Sequence, residues 1–113
     1  MTAAKPPVFT LFMLLRSQPA WLALTRAERA AYVAAEVAPV LARWPQVAMR
    51  FFDAEAFTGR CTDLMVFETA DLAAYAHLID GLRDTAFLGR PYFEVLEIIP
   101  TLEDGYKAYD AVA

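Results

Sequence analysis

The sequence predicts an α+β fold in which one four-stranded antiparallel sheet carries two helices. Four segments are rich in β-branched and aromatic residues. Two others repeat apolar residues at helical spacing, and the order along the chain is β-α-β-β-α-β. At 113 residues the chain suits a single domain whose core needs no disulfide or metal staple. That domain is expected to run over 1–113, with 1–7 and 110–113 frayed.

The first strand is "VFTLFMLL", Val8 to Leu15, apolar except for Thr10. Pro6 and Pro7 precede it and Arg16 follows it, and its length and its Phe and Val suit a strand better than a secretory leader. After a loop holding Trp21, Thr25 and Glu28 have the spacing of a capping box, so a helix begins at Arg26. Its apolar stripe is Ala30, Val33, Ala34, Val37, Val40, Leu41 and Trp44. Pro39 should kink this helix, because it removes a backbone bond and crowds the preceding turn, and Pro45 should end it.

"QVAMRFFD" is the second strand, "AEAFTGRCT" a loop and "DLMVFE" the third strand. The second helix is expected to be capped by Thr69 with Asp71 in its first turn, and to bury Leu72, Tyr75, Ala76, Ile79 and Leu82. A loop through Gly89 and Pro91 leads to the fourth strand, "YFEVLEIIP", which Pro100 ends. The tail "TLEDGYKAYDAVA" is expected to form a short helical turn at most.

This order is the split-βαβ, or ferredoxin-like, arrangement. Its two helices can cover only one face of the sheet, so the strands should alternate apolar with polar. They do not: Phe9, Leu11, Met13 and Leu15 point one way, and Val8, Phe12 and Leu14 the other. Leu64 and Val66 oppose Met65 and Phe67 in the third strand, and Val95 and Ile99 oppose Leu96 and Ile98 in the fourth. A patch of that size exceeds what soluble monomers leave exposed, and a second copy in a two-fold dimer is the simplest cover. The partner expected first is therefore the protein itself.

Composition narrows the remaining partners. Ten basic against fourteen acidic residues give a net charge of −4, and the scattered Lys and Arg offer no footprint for nucleic acid or anionic lipid. The 58% hydrophobic content exceeds the usual share of about 45–50%. No apolar run, however, approaches the roughly 18 residues that span a bilayer. The single Cys61 has no intrachain partner, which fits a reducing cytoplasm.

The segments "VFTLFMLL", "AWLAL", "RFFDAEAFTGRCTDLMVFETAD", "LRDTAF" and "YFEVLEIIPTLEDGY" together resemble the darcynin family of small bacterial proteins, from Val8 to Tyr109. "VFETAD" also looks like the aromatic-Glu-Ser/Thr turn of antibiotic-biosynthesis-monooxygenase-like proteins, with Phe67 where those often have Trp. Both resemblances imply a dimeric α+β barrel. The darcynin resemblance brings no established reaction. The monooxygenase-like relatives include cofactor-free oxygenases and isomerases, but no catalytic set of theirs maps residue by residue onto this chain.

Candidate chemistry is sparse. His77, the only histidine, lies nearly opposite the expected stripe of its helix and is read as solvated or at a dimer edge; the haem ligation that some barrel relatives invite would need it to face a cavity. No second His or Cys completes a metal shell, and no metal or other cofactor is expected. Cys61 beside Arg60 is read as an ordinary loop thiol, the alternative being a nucleophile that lacks a placed base.

Arg50 is more informative, since a guanidinium interrupting the apolar run "VAMRFF" needs carboxylates or a ligand wherever it is buried. If Asp53 pairs opposite Asp63, Arg50 and Glu68 become diagonal neighbours on one face, able to form an ion pair; a shift of one residue breaks that pairing. The structural reading is a salt bridge. The functional reading makes Arg50 the anchor for a ligand carboxylate or enolate in the barrel cavity, with Glu68 or a strand-four Glu as proton acceptor and Thr10 as a hydrogen-bonding contact. Tyr92 joins Trp21, Trp44 and Phe93 as candidate pocket wall or plain core.

The function expected is binding of a small apolar or aromatic molecule between sheet and helices, extending to cofactor-free oxygenation or isomerisation. The alternative is a non-catalytic homodimeric module with a filled core. The sequence leaves open whether the protein is an enzyme.

Overall fold

A computed structural model describes residues 6–113; Met1 to Lys5, part of the segment expected to fray, lie outside the described residues. The elements are β1 (Phe9–Ser17), α1 (Pro19–Leu22), α2 (Arg26–Tyr32), a π-helical turn (Val33–Val37), α3 (Ala38–Arg43), β2 (Ala48–Asp53), β3 (Asp63–Thr69), α4 (Leu72–Arg83), β4 (Phe93–Leu102) and α5 (Gly105–Val112). The sheet order is β2-β3-β1-β4 with every pair antiparallel. That is the ferredoxin-like arrangement the element order predicts.

The opening apolar stretch is a central strand, hydrogen-bonded on both edges. Met13 lies opposite Met65, and Leu11 opposite Phe67. These side chains face the helices and join Leu15, Leu78, Leu82 and Phe93 in the main core. A smaller cluster forms on the other face, where Leu14 packs with Ala54 and Cys61 of the β2–β3 loop. That loop therefore shelters one end of the second face from within the same chain. Phe52 and Ile99 on that face stay exposed, at 44% and 37%.

The capping box forms as its spacing predicts: the Glu28 amide donates to Thr25 Oγ1 at 3.1 Å and the Thr25 amide to Glu28 Oε1 at 2.8 Å. Pro39 acts through the π-turn, which ends two residues before it. Widening one turn absorbs the missing amide, so helical backbone runs on from α2 through α3.

Several details of the helices differ from expectation: of the stripe expected along the first helix only Val37 is buried, while Ala30, Val33 and Ala34 are exposed. Trp21 sits on a short helix rather than in a loop. Asp71, not Thr69, caps α4, accepting from the Ala74 amide at 3.0 Å; Thr69 is buried, donates to the Gln46 carbonyl at 3.0 Å and accepts from the Asp71 amide at 2.9 Å. Beginning α4 at Leu72 turns Leu72 and Ala76 outward and buries Ala74 and Leu78 beside Ile79 and Leu82. The tail is more ordered than expected, forming the eight-residue α5 through Val112.

Candidate functional site

The two helical arms lie at different depths on the sheet. α4 packs against α3 so closely that a Cβ on Gly81 would stand 2.9 Å from Val40 Cγ1. Along α2, the π-turn and α3, by contrast, Val37 is the one buried residue. Beneath this arm lies a cavity of about 400 Å³. Its roof is Val33, Val37, Ala38 and Leu41; Met49, Phe51 and Met65 form the floor, and Trp21, Phe87 and Phe93 one wall. The aromatic wall is interlocked: Trp21 meets Phe87 edge-on at 5.7 Å and Tyr92 at 5.1 Å.

Charge enters the cavity at few points. Arg29 lines it from α2, its Nε donating to the Trp21 carbonyl at 3.1 Å and one Nη to the Leu22 carbonyl at 3.1 Å. Those bonds also tie α1 to α2. At the sheet end stand Asp53, Glu55 and Asp63. Asp53 and Asp63 are direct partners across β2 and β3, so two acidic side chains share the same end of the helix-side face.

Burial is the largest cause that raises Asp63, and the neighbouring charges of Asp53 and Glu55 add to it. The Thr62 hydroxyl, donating to Asp63 Oδ2 at 2.8 Å, pulls the other way. The outcome is a carboxyl group raised to about 6. Burial and neighbouring negative charge both favour the neutral form of Asp63, which is why its carboxyl is raised.

From sequence, Asp53 and Asp63 stand out only as anions available to Arg50 and as markers of the strand register. One signal was present: like charges directly opposite in adjacent strands are unfavourable, so their pairing called for an explanation.

The residues singled out from sequence fall elsewhere. With Asp53 opposite Asp63, Arg50 and Glu68 are diagonal neighbours, and Arg50 Nη2 donates to Glu68 Oε1 at 2.8 Å. Thr10 lies opposite Glu68 in the β1–β3 pairing. All three project from the face opposite the helices, because side chains alternate along each strand, and none lines the helix-side cavity. Both partners of the ion pair are substantially exposed, 63% and 41% by side chain, and the Arg50 guanidinium lies over the Phe52 ring at 5.5 Å. Of the strand-four carboxylates, Glu97 pairs with Arg60 at 2.7 Å.

Tyr92 is on the helix side, behind the cavity wall, with its ring 4.9 Å from Tyr32. His77 is exposed and stacks on Trp44 at 5.0 Å, in a cleft between α3 and α4 away from the cavity. Cys61 is a free buried thiol in the small second cluster. Among the described residues no group of three or more His, Cys, Asp and Glu could hold a metal ion, and no helix is long and apolar enough to cross a membrane.

Comparisons with known proteins agree with this architecture. Chlorite dismutase from Candidatus Nitrospira defluvii in complex with imidazole superposes with a TM-score of 0.69 at 14% identity, over 84% of this chain and 39% of that one. A mutant of the same enzyme gives a TM-score of 0.70 with the same identity and coverage. The chain thus spans about two fifths of those structures, and the likeness concerns the fold alone.

Sequence relatives are nearer. A darcynin from Chromobacterium violaceum is 53% identical over 73 residues, 65% of this chain and 92% of that protein. Darcynin 1 from Acinetobacter baumannii is 43% identical over 90 residues, 80% of this chain and all of that protein. A darcynin homologue from Streptomyces avermitilis is 46% identical over 103 residues, 90% and 84% of the two chains. The sequence pattern of the darcynin family, described as a domain of unknown function, matches residues 1–113, and the chain belongs to that family.

Proposed function

We propose that this protein binds a small apolar or aromatic molecule in the cavity under α2, the π-turn and α3, and does so as a homodimer. One observation carries the binding reading. A volume of about 400 Å³ falls within the roughly 300–1,000 Å³ of small-molecule sites, which are mostly apolar with few polar groups. Here the walls are aromatic and aliphatic, and the charged groups are Arg29 and the carboxylates at the sheet end. A void of this size argues against the alternative of a non-catalytic module with a filled core.

The second copy covers the face that carries Phe52 and Ile99, both too exposed for a monomer's sheet face. On this reading Arg50, Glu68 and Thr10 belong to the interface, and Tyr92 steadies the aromatic wall. A free, buried Cys61 suits a cytoplasmic setting.

Thermal-shift measurements with neutral bicyclic aromatics test the binding. The melting point should rise with the natural protein, and Ala38→Trp, which fills the cavity from an exposed helical position, should abolish the rise. No shift with any such compound would refute the reading. Sedimentation equilibrium tests the dimer: the natural protein should weigh about twice 12.6 kDa, and Ile99→Asp should halve that mass. A natural protein sedimenting as a folded single copy would exclude it.

A further inference from the structure

We propose that Asp63, backed by Asp53, is the proton-transfer base of the helix-side cavity, acting on a small apolar carbon acid such as an enolisable carbonyl compound, with Arg29 receiving the anion that forms. This inference rests on the reading that the cavity binds such molecules, and adds what the cavity does to them.

Three features converge. The cavity is apolar, so a carboxylate at its edge is a stronger base than one in water. Asp63 faces a second carboxyl, Asp53, in a register fixed by strand pairing rather than by a mobile loop, which holds it in place relative to the walls. Arg29 lines the same cavity from the helix above. Its Nε and one Nη are held by the Trp21 and Leu22 carbonyls, so its charge is fixed in orientation and its other Nη has no partner among the described residues. Fixed positive charge lining the same cavity as the base is what developing enolate oxygen requires.

The step balances without a co-reactant. The Asp63 carboxylate takes a proton from the carbon beside the carbonyl, the C–H electron pair becomes the new C=C bond, and the carbonyl π pair moves onto oxygen. Where the substrate is a β,γ-unsaturated carbonyl compound the anion is a dienolate: returning the proton to its γ-carbon shifts the C=C bond to the α,β position, the oxygen pair re-forms the C=O bond, and the carboxylate is restored. The groups that act on Asp63 are Asp53, Glu55 and the Thr62 hydroxyl; Arg29 lines the same cavity from α2. With Asp63 raised to about 6, the free base accumulates as pH rises through that value, near the optimum for a base working at neutral pH.

The test uses 5-nitrobenzisoxazole, a flat apolar carbon acid that releases a coloured cyanophenolate when a base removes its ring proton, and 5-nitroindazole, which has the same shape and cannot eliminate. The natural protein should bind the indazole with a change in Trp21 fluorescence and should open the benzisoxazole at a rate rising through about pH 6. Asp63→Asn should lower the rate by about 100-fold while still binding the indazole. Asp53→Asn removes the neighbouring negative charge that helps raise Asp63 and should move the pH midpoint of elimination downward, whatever it does to the maximal rate; an unmoved midpoint overturns the assignment, and this readout stands even where Asp63→Asn does not fold. Indazole binding without Asp63-dependent elimination overturns the proton-transfer proposal and leaves the binding cavity intact. Failure of the indazole and of the neutral aromatics alike overturns both.

Discussion

The two helical arms above the sheet are built from similar patterns and sit differently. α4 buries Ala74, Leu78, Ile79 and Leu82 and meets its neighbour through Gly81, where even a methyl group would crowd Val40. The arm running from Arg26 to Arg43 buries Val37 alone, and Val33 remains 37% exposed. Both have an apolar stripe. The difference lies in what each presents inward: α4 aims leucines and an isoleucine at the strands, whereas the other arm leaves Ala30 and Ala34 exposed and presents Val33, Val37, Ala38 and Leu41 to the cavity. An amphipathic pattern thus fixes which face turns inward but leaves open how far the helix stands from the sheet.

The largest effect that would test this contrast is in α4. Leu78→Ala, at a fully buried position, should cost about 3 kcal/mol in urea unfolding, the cost of lost transfer and a new cavity. Leu41→Ala, on the roof of the existing cavity, should cost less than about 1 kcal/mol, since that side chain already lacks contacts on one side. Equal costs would mean that the space beneath α3 is filled.

Tyr75 gives a smaller effect of opposite sign. Its ring packs on Phe67 at 5.4 Å, while its buried hydroxyl has no hydrogen-bond partner among the described residues. Tyr75→Phe should therefore stabilise the fold by about 1 kcal/mol, again read from urea unfolding; a loss instead would reveal a partner for the hydroxyl.

The smallest effect belongs to the cavity's acidic corner. Because folding raises the Asp63 carboxyl from 3.8 to about 6, its protonated form is favoured in the native state. The associated stability is complete below about pH 4 and is lost as pH rises through about 6. The melting point of the natural protein should fall by a few degrees over that interval more than that of Asp63→Asn. Parallel curves would show that the carboxyl is solvated.

Local signals in the sequence were reliable where the cause was local. Thr25 and Glu28 define the start of α2 because both capping bonds span three residues. The pairing of Arg50 with Glu68 follows from strand geometry once Asp53 lies opposite Asp63. The sequence puts the cap of α4 on Thr69 and Asp71 in the first turn, whereas Asp71 is the cap and the buried stripe shifts in phase with it. Thr69 was claimed by the Gln46 carbonyl, a contact 23 residues away.

What the sequence determined by itself is the order of strands and helices, the apolar character of both sheet faces and the family. Those properties are written in composition and periodicity, which act between near neighbours. Only the tertiary structure decided that Arg50, Glu68 and Thr10 face away from the helices, that the β2–β3 loop shelters part of the second face, and that the Asp53–Asp63 pair edges a cavity. Each depends on how far apart two packed layers stand, a distance set by side chains from separate elements meeting in space.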